Sequence, residues 1–393
     1  MKRPILLFLL GILPLHIMCK NDNTIVCETA WEAVQNMGVG WNLGNVLEAP
    51  DGEGTWARER VTKELIKTIK DGGFKTMRIP ITWYRHIGEE NAANNSAAVQ
   101  LGFNPKYTVN IDFMNRLEEI VDWVLSEDLY CVINVHHDTG HDPEIWLNAD
   151  LDNIDMILEQ FNALWLQIAD RFKHKSEKLQ FEGYNEIMCP LKLWNGATDP
   201  QGKGYKAVNI LAQAFVNTVR STGSINSTRN LHISTFSAYP RNPAGASLVM
   251  PTDLTKNGKN HLIVQVHSYN PQYFTSTGDW MGTNETCIFR ENLKQEIDED
   301  LRLLKQNFLD NGYPVVIGEF GAINKRNLET GADNNTEERA KYASYVVSKA
   351  RETGNIMCIW WDDSGQFRIL NRQNNTWIYD PIRIALTIKN KIK

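Results

Sequence analysis

Two glutamates in this chain each end a short apolar run. Glu186 closes the segment Leu179-Gln-Phe-Glu-Gly-Tyr-Asn-Glu, and Glu319 closes Pro314-Val-Val-Ile-Gly-Glu. Apolar, β-prone runs of this length predict strands buried in a sheet. A carboxylate at the exit of such a strand is costly to desolvate unless partners or a substrate meet it there. Two carboxylates at one rim are what hydrolysis of a glycosidic bond requires, whereas two unrelated ion-pair partners are the alternative interpretation.

The two glutamates belong to a series of eight apolar runs that end in polar or aromatic residues. The runs cover residues 38–44, 74–80, 129–136, 179–186, 231–235, 262–267, 315–319 and 356–361. Helical spacing of apolar residues predicts helices over 61–71, 113–126, 158–173, 208–221, 293–311 and 337–352. Strands that alternate with helices predict an α/β fold, a single (β/α)8 TIM barrel with extended βα loops. A doubly wound open sheet is the alternative, but no Gly-x-Gly-x-x-Gly follows any of the runs.

Residues suited to sugar chemistry occupy the predicted carboxyl ends of these strands. They are Asn42, Arg78, His136, Glu186, His267, Glu319 and Trp361. A barrel of this kind carries its active site at that end. The coincidence favours a catalytic carboxylate pair over two unrelated ion-pair partners.

Taken together, these segments resemble glycoside hydrolase family 5, a family of retaining β-1,4-glucanase and mannanase barrels. The resemblance runs from Gly40-Trp-Asn-Leu-Gly-Asn to Trp360-Trp-Asp-Asp, and the opening motif is most similar to subfamily 4. Asn185-Glu186 alone is a weak motif, but seven motifs in order are specific. The resemblance implies an endo-β-1,4-glucanase that acts on polysaccharide without cofactor or metal. A xyloglucanase or β-mannanase on the same scaffold is the alternative.

The resemblance also implies roles for individual residues. Glu186 would be the acid/base and Glu319 the nucleophile. Asn185 would bind the sugar 2-hydroxyl, and Arg78 would hold Glu319 ionised. The remaining implied positions are Asn42, His136 facing the sugar, His137 as a hydrogen-bonding support, His267 facing Glu186, Tyr269 on the nucleophile, and Trp361 (with Trp360) as a stacking floor.

Two positions depart from the family pattern. The family continues Asn-Glu with Pro, whereas Ile187 follows Glu186 here, which predicts a different path for that loop. The subfamily reads Asp-Asn-Gly after the tryptophans, whereas this chain has Asp362-Asp363-Ser-Gly. Asp363 near the rim is expected to alter which substrate substituents are tolerated.

Other interpretations of the same residues remain open. His136, His137, Asp138 and His141 offer ligand types suited to zinc, which would indicate a metal-dependent hydrolase. A non-catalytic glycan-binding barrel is a second alternative, although such a protein would not need both glutamates. Among twelve tryptophans, four fall in predicted loops after strands, where stacking platforms for sugars would lie. These are Trp56, Trp146, Trp194 and Trp280, while Trp123 and Trp165 are expected to pack against helices.

The N-terminus indicates export. Lys2 and Arg3 precede an apolar stretch over 4–18, which predicts a signal peptide over 1–19 and a catalytic barrel over 20–393. Lipidation of Cys19 is an open alternative, so we expect an extracellular, periplasmic or lipid-anchored protein. The net charge of −6 argues against nucleic acid as a partner. We expect a monomer, and we expect Cys131 and Cys358 to be buried thiols rather than disulfide partners.

Overall fold

Eight parallel strands close into a barrel, and their order along the chain is their order around it. The computed structural model describes residues 27–140, 145–191, 197–198, 200–253, 261–278 and 281–388. Each strand pairs with the next, and the last returns to the first. The prediction of a TIM barrel is confirmed. The barrel strands are β1 Val39–Leu43, β2 Thr76–Ile79, β3 Tyr130–Asn134, β4 Leu179–Glu182, β5 Leu231–Ser234, β6 Leu262–His267, β7 Val315–Phe320 and β8 Met357–Asp362.

A helix follows each strand on the outside of the barrel. The six predicted helices are confirmed, with boundaries that move by a few residues. Their order is Lys63–Asp71, Ile111–Ser126, Ile154–Phe172, Lys203–Ser221, Ala244–Ser247, Lys294–Asn307, Thr336–Gly354 and Asp380–Thr387. The last residues of the predicted 293–311 helix form a separate 3₁₀ turn, Leu309–Asn311. Two-residue strands at Met281–Gly282 and Arg326–Asn327 pair within the loops after β6 and β7.

The helix Ile111–Ser126 illustrates why these segments are helical. Its first turn is capped by Asn110, whose side chain accepts a hydrogen bond from the Phe113 backbone N–H. Such a cap satisfies one of the donors that a helix start leaves unpaired. Leu117, Val121 and Val124 recur at helical spacing and are fully buried. That apolar stripe packs the helix against the barrel.

The amino-terminal end of the barrel is closed by a helix that the sequence did not predict, Ala30–Met37. It begins with a capping box in which the Thr29 hydroxyl and the Glu32 carboxylate each accept a backbone N–H of the other residue. Val34 and Met37 belong to one buried cluster with residues near the starts of the strands. The other members of that cluster are Ala30, Tyr130, Val132, Ile263, Val316, Met357 and Ile359. This end is therefore an apolar plug.

The strand register brings the functional side chains to the opposite end. Asn42 of β1 lies opposite Arg78 of β2 on one side and Trp361 of β8 on the other. His267 of β6 lies opposite Glu319 of β7, at a point where the register shifts. Residues far apart in the chain therefore meet at one rim because parallel neighbours are aligned there.

The structure also answers the questions about cysteines and membrane spans. Five cysteines, at 27, 131, 189, 287 and 358, are buried free thiols, which confirms the expectation for Cys131 and Cys358. Cys19 lies outside the described residues. Across the part of the chain that the structure describes, no helix is both long and apolar enough to span a bilayer.

Candidate active site

A cleft of about 400 Å³ opens at the carboxyl end of the barrel. Both glutamates predicted to be catalytic line it, together with side chains from the loops after several strands. The lining residues are Pro50, Trp56, His136, His137, Thr139, Gly140, Asn185, Glu186, Tyr269, Glu319 and Trp361. The barrel thus brings the predicted carboxylate pair into one concave site.

Arg78 organises the floor of this cleft. Its side chain is fully buried, and its Nε and Nη2 donate to the two carboxylate oxygens of Glu182 at 2.6 and 2.8 Å. Nη1 donates to Asn42 at 2.9 Å and to Glu319 at 2.7 Å. Nη2 also donates to Asn185 Oδ1 at 2.7 Å. Such a planar array of donors suits a guanidinium and not an ammonium.

Glu319 is held by two donors. Besides Arg78, the Tyr269 hydroxyl donates to its Oε2 at 2.9 Å. Burial raises the pKa of Glu319 above its usual range, while His267 and Arg78 act in the opposite direction. The contact that the resemblance implied is present, but the net pKa direction is upward, since desolvation outweighs the neighbouring guanidinium.

Glu186 lies beside Glu319 in a different environment. One carboxylate oxygen of each lies within 4.8 Å of the other. His267 Nδ1 lies 2.7 Å from Glu186 Oε1 and 3.5 Å from Glu319 Oε2, so this histidine faces both acids. Burial raises the pKa of Glu186 to about 8, which the positive charge of Arg78 only partly opposes. Burial also lowers the pKa of His267 to about 4, so its imidazole is neutral near pH 7.

Trp361 and His136 form two walls of the cleft. Their rings are parallel within 1°, with centroids 6.1 Å apart. Gly44 makes room for the tryptophan, because a Cβ at that position would lie 3.0 Å from the Trp361 ring. Trp360 is fully buried, and its Nε1 donates to the Phe367 carbonyl. The expectation that Trp360 joins the floor is therefore wrong: successive side chains of a strand point to opposite faces.

Of the four loop tryptophans, Trp56 lines the cleft. It is 44% exposed, and its ring centroid lies 5.5 Å from that of His137, which also lines the cleft. Trp146 is partly buried against the core, and its Nε1 donates to Asp138 Oδ1 at 2.6 Å. Trp194 and Trp280 lie outside the described residues.

The packing of Trp123 and Trp165 follows the expectation. Trp165 is fully buried, and Trp123 packs partly buried against the core.

Sequence reasoning missed two residues of the site. Glu182 accepts two hydrogen bonds from the buried guanidinium of Arg78, and Asn134 Nδ2 donates to the same carboxylate at 3.0 Å. Burial acts to raise the pKa of Glu182, but Arg78 overcomes this effect and leaves the pKa below its ordinary value. β4 ends at Glu182, so Glu186 stands on the following loop. A signal existed, because Glu182 is an acidic residue inside the apolar run that leads to Glu186 and therefore needs a buried partner.

Both departures from the family pattern have structural explanations. Ile187 is fully buried, and its carbonyl accepts the Ser237 N–H, which pins the loop after Glu186. The Asp363 carboxylate turns into its own loop, where Oδ1 accepts the N–H groups of Gly365 at 2.7 Å and Phe367 at 3.0 Å. The expectation that Asp363 meets substrate substituents is therefore not supported by where its carboxylate lies.

Among the described residues of the histidine cluster considered for zinc, His136, His137 and Asp138 do not form a ligand set. Both carboxylate oxygens of Asp138 accept hydrogen bonds, from the Trp83 backbone N–H and from Trp146 Nε1. His136 Nδ1 lies 3.1 Å from Asn134 Nδ2, and His141 lies outside the described residues. Within the described ranges, the one group whose ligand atoms lie within 4.8 Å of one another is Glu186, His267 and Glu319.

Comparison with known proteins agrees with this geometry. Residues 33–366 match the sequence profile of cellulase (glycosyl hydrolase family 5). The chain belongs to glycoside hydrolase family 5. Endoglucanase A of Ruminococcus albus is 33% identical, over 91% of this chain and 92% of that protein. Family 5 membership and this homology make the protein a retaining endo-glycoside hydrolase of the endoglucanase type.

Solved structures of the same family superpose closely. A GH5-4 broad specificity endoglucanase from Clostridium acetobutylicum is 33% identical, with a TM-score of 0.77 over 91% of this chain and 99% of that one. A family 5 enzyme from Prevotella bryantii B14, solved with a xyloglucan tetradecasaccharide, is 28% identical, with a TM-score of 0.78 over 93% and 99%. The resemblance to subfamily 4 is thus confirmed by structural neighbours that are GH5-4 endoglucanases.

Proposed function

We propose that this protein is an exported endo-β-1,4-glucanase that cleaves internal bonds of β-glucans by double displacement, with Glu186 as acid/base and Glu319 as nucleophile. The observation that carries the proposal is the contrast between two adjacent carboxylates. Glu319 receives hydrogen bonds from a cation and a phenol, whereas Glu186 meets a neutral imidazole and has a pKa near 8. A retaining glycosidase needs one such group ionised and the other protonated, about 5–5.5 Å apart.

In the first step, Glu319 attacks the anomeric carbon while Glu186 donates its proton to the leaving oxygen. The glycosidic bond breaks, and an ester forms between the sugar and Glu319. Asn185 accepts from Arg78 through Oδ1, which leaves its amide nitrogen to donate to the sugar 2-hydroxyl. That contact strengthens in the transition state as the ring flattens.

In the second step, Glu186 removes a proton from water, and the resulting hydroxide attacks the anomeric carbon. The ester breaks, Glu319 leaves as a carboxylate, and Glu186 is again protonated. Ester formation removes the negative charge of Glu319, whose carboxylate lies within 4.8 Å of that of Glu186. Loss of this like charge favours the ionised form of Glu186 and lowers its pKa. The same carboxyl group can therefore be an acid in one step and a base in the next.

Trp361 and Trp56 support a role in binding a glycan chain. Both rings line the cleft, and flat apolar faces of sugars stack on aromatic rings. The second candidate substrate is xyloglucan, because a structural relative was solved with a xyloglucan oligosaccharide. β-Mannan remains an alternative from the resemblance alone.

Hydrolysis of barley β-glucan, carboxymethylcellulose, xyloglucan, xylan and mannan by the wild-type enzyme, Glu186→Ala and Glu319→Ala tests the proposal. We expect cleavage of β-glucan within the chain, with release of mixed oligosaccharides and retained anomeric configuration in the NMR spectrum. Initial release of the inverted anomer, or full activity of Glu319→Ala, would contradict the mechanism. Preference for xyloglucan would replace the proposed substrate and leave the mechanism standing.

Export and a monomeric state are proposals that rest on the sequence. The charged and apolar N-terminus supports a signal peptide, and residues 1–26 lie outside the described structure. Cell fractionation with and without Cys19→Ala distinguishes a lipid anchor from free release, because only an anchored protein shifts out of the membrane fraction. Size-exclusion chromatography with light scattering tests the monomer, whose mass would be 44.9 kDa before processing.

A further inference from the structure

The loop after β8 reaches the nucleophile through an aromatic contact. The ring of Phe367 meets that of Tyr269 at a centroid distance of 5.7 Å and an angle of 66°. Tyr269 in turn donates its hydroxyl to Glu319 at 2.9 Å. Edge-to-face pairs of this kind hold both rings in a preferred orientation. Phe367 is not among the residues that line the cleft, so its connection to the reaction is indirect.

The position of Phe367 is fixed from several sides. Its N–H donates to Asp363 Oδ1 at 3.0 Å, and its carbonyl accepts from Trp360 Nε1 at 3.2 Å and Arg339 Nη2 at 3.1 Å. Its ring lies on the backbone of the loop after β7, because a Cβ on Gly321 would stand 3.0 Å from Phe367 Cδ1. Gly321 is two residues beyond the nucleophile Glu319. The ring of Phe367 therefore packs both against the Tyr269 ring and against the backbone of the loop that follows Glu319.

We propose that Phe367 is a positioning residue for catalysis: it holds Tyr269 so that the phenol bonds Glu319, and Asp363 fixes Phe367 through its carboxylate. The proposal rests on the proposed role of Glu319 as nucleophile. It also gives Asp363 a function, since an acceptor at that position caps the turn that carries Phe367. The chemistry requires an acceptor oxygen and not a charge, so an asparagine would serve there as well.

The positioning of Tyr269 by Phe367 also predicts a shift in the pH profile. A hydrogen bond donated to a carboxylate stabilises its ionised form and lowers its pKa. Burial raises the pKa of Tyr269 well above its usual range, so the phenol remains a donor throughout the working pH range. A loosened Tyr269 therefore raises the pKa of Glu319, and the acidic limb of kcat/KM moves to higher pH.

A double-mutant cycle tests the proposal on the full-length enzyme. Phe367→Leu should lower kcat about tenfold with little change in KM, as expected when a catalytic contact is misplaced. In a Tyr269→Phe background the same substitution should have almost no further effect, because residues that act through one contact are not additive. A full tenfold loss in that background would overturn the proposal, as would an unchanged kcat and acidic limb in the Phe367→Leu single variant.

Matched variants separate positioning from folding. Phe113→Leu removes a comparable partly buried ring that packs edge-on against Trp83 at 5.6 Å, outside the cleft, and should leave kcat unchanged. Asp363→Ala should reproduce the kinetic effect of Phe367→Leu. Asp363→Asn keeps an acceptor oxygen and should therefore have the kcat and the acidic limb of the wild type. Gly321→Ala should shift the ring and lower kcat in the same direction. Failure of Asp363→Asn to retain both would overturn the role of Asp363.

The outcome is distinguishable from failure of the proposed function. If Glu319→Ala remains active, the nucleophile is misassigned and the proposed function falls. If Glu319→Ala is inactive while the effects of Phe367→Leu and Tyr269→Phe are additive, only the proposed positioning role of Phe367 is wrong.

Discussion

The two ends of the barrel differ in the side chains that they bury, which are apolar at one end and charged at the other. At the amino-terminal end, Val34 and Met37 insert into an apolar cluster around the strand starts. At the carboxyl-terminal end, Arg78, Glu182 and Glu319 share a buried network of charge. Burial of apolar surface stabilises a fold, whereas buried charges contribute little net stability even when they are paired. The comparison teaches that one end of this molecule stabilises the fold and the other maintains a site.

A polar layer separates the two ends inside the barrel. His232 Nδ1 lies 2.9 Å from Gln265 Oε1, and its Nε2 lies 2.7 Å from Gln180 Oε1. Burial lowers the pKa of His232 to about 4, so this layer is neutral near pH 7. Neutral polar side chains therefore lie at this level of the barrel, and the neutral imidazole, which has one N–H, can donate to one of the two amide oxygens.

The largest effect should come from the two carboxylates at the catalytic end. We expect Glu319→Ala to lower kcat by at least about 10⁴-fold, as loss of a nucleophile does elsewhere. Glu186→Ala should retain activity on substrates with good leaving groups, which need no proton, and azide should increase it. The measurement is turnover of aryl glycosides with and without azide. Azide rescue of Glu319→Ala to a product of retained configuration would mean that the two roles are exchanged.

Buried arginines at the two ends allow a matched comparison. Arg78→Lys should lower kcat about 10²-fold, because an ammonium cannot orient Glu182, Glu319 and Asn185 together. It should also reduce the free energy of unfolding by about 3–5 kcal/mol, since buried carboxylates lose partners. From the sequence alone, retention of the charge suggests a smaller stability loss.

Arg229→Lys is the control for Arg78→Lys. Arg229 is fully buried just before β5, where its guanidinium donates to backbone carbonyls including those of Ser176 and Phe172. The substitution should reduce stability and leave kcat within about twofold, since the residue lies at the end away from the cleft. Kinetics beside urea unfolding would measure both. Equal kinetic losses in the two variants would show that the division between the ends is wrong.

The apolar plug should behave in the opposite way. Met37→Ala removes a fully buried side chain and should cost about 2–5 kcal/mol of unfolding free energy. Because Met37 lies at the end of the barrel opposite the cleft, kcat should be unchanged at temperatures where the protein stays folded. Chemical denaturation and initial rates would check this, and a fall in kcat without a fall in stability would contradict it.

A further prediction concerns the pH dependence of stability. Burial raises the pKa of Glu186 from 4.5 to about 8, so the folded state binds this proton more tightly than the unfolded state. The group contributes stability below pH 4.5, and that contribution is lost as the pH rises towards 8. Glu186→Gln should therefore lose less stability than the wild type between pH 5 and about 8. The measurement is the melting temperature of both proteins as a function of pH. Equal changes in the wild type and in Glu186→Gln across that interval would contradict a raised pKa of Glu186.

The same pKa values predict the activity profile. Activity should fall at high pH as Glu186 loses its proton near pH 8, and at low pH as Glu319 gains one. Measurement of kcat/KM in the wild type and in Glu186→Gln would identify the basic limb. A basic limb that survives in Glu186→Gln on an activated substrate would belong to another group.

The sequence by itself determined the fold class and most of the site. Alternation of apolar runs and helical segments indicated all eight barrel strands, because strand and helix periods are local properties of the chain. Polar and aromatic residues at the strand exits, such as Arg78, Glu319 and Trp361, were identifiable because the barrel topology places every strand exit at one rim. Glu186 and Asn185 were identified by the same reasoning, together with the family resemblance.

Only the tertiary structure decided which side chains of the site contact one another and how their pKa values are shifted. The hydrogen bonds of Arg78 to Glu182 and the contact of Phe367 with Tyr269 join residues from different strands or loops. The inward turn of the Asp363 carboxylate depends on the path of its own loop. Such contacts depend on strand register and loop path, which local sequence does not encode. The pKa of Glu186 is likewise a tertiary property, because burial and neighbouring charge arise only when the barrel has closed.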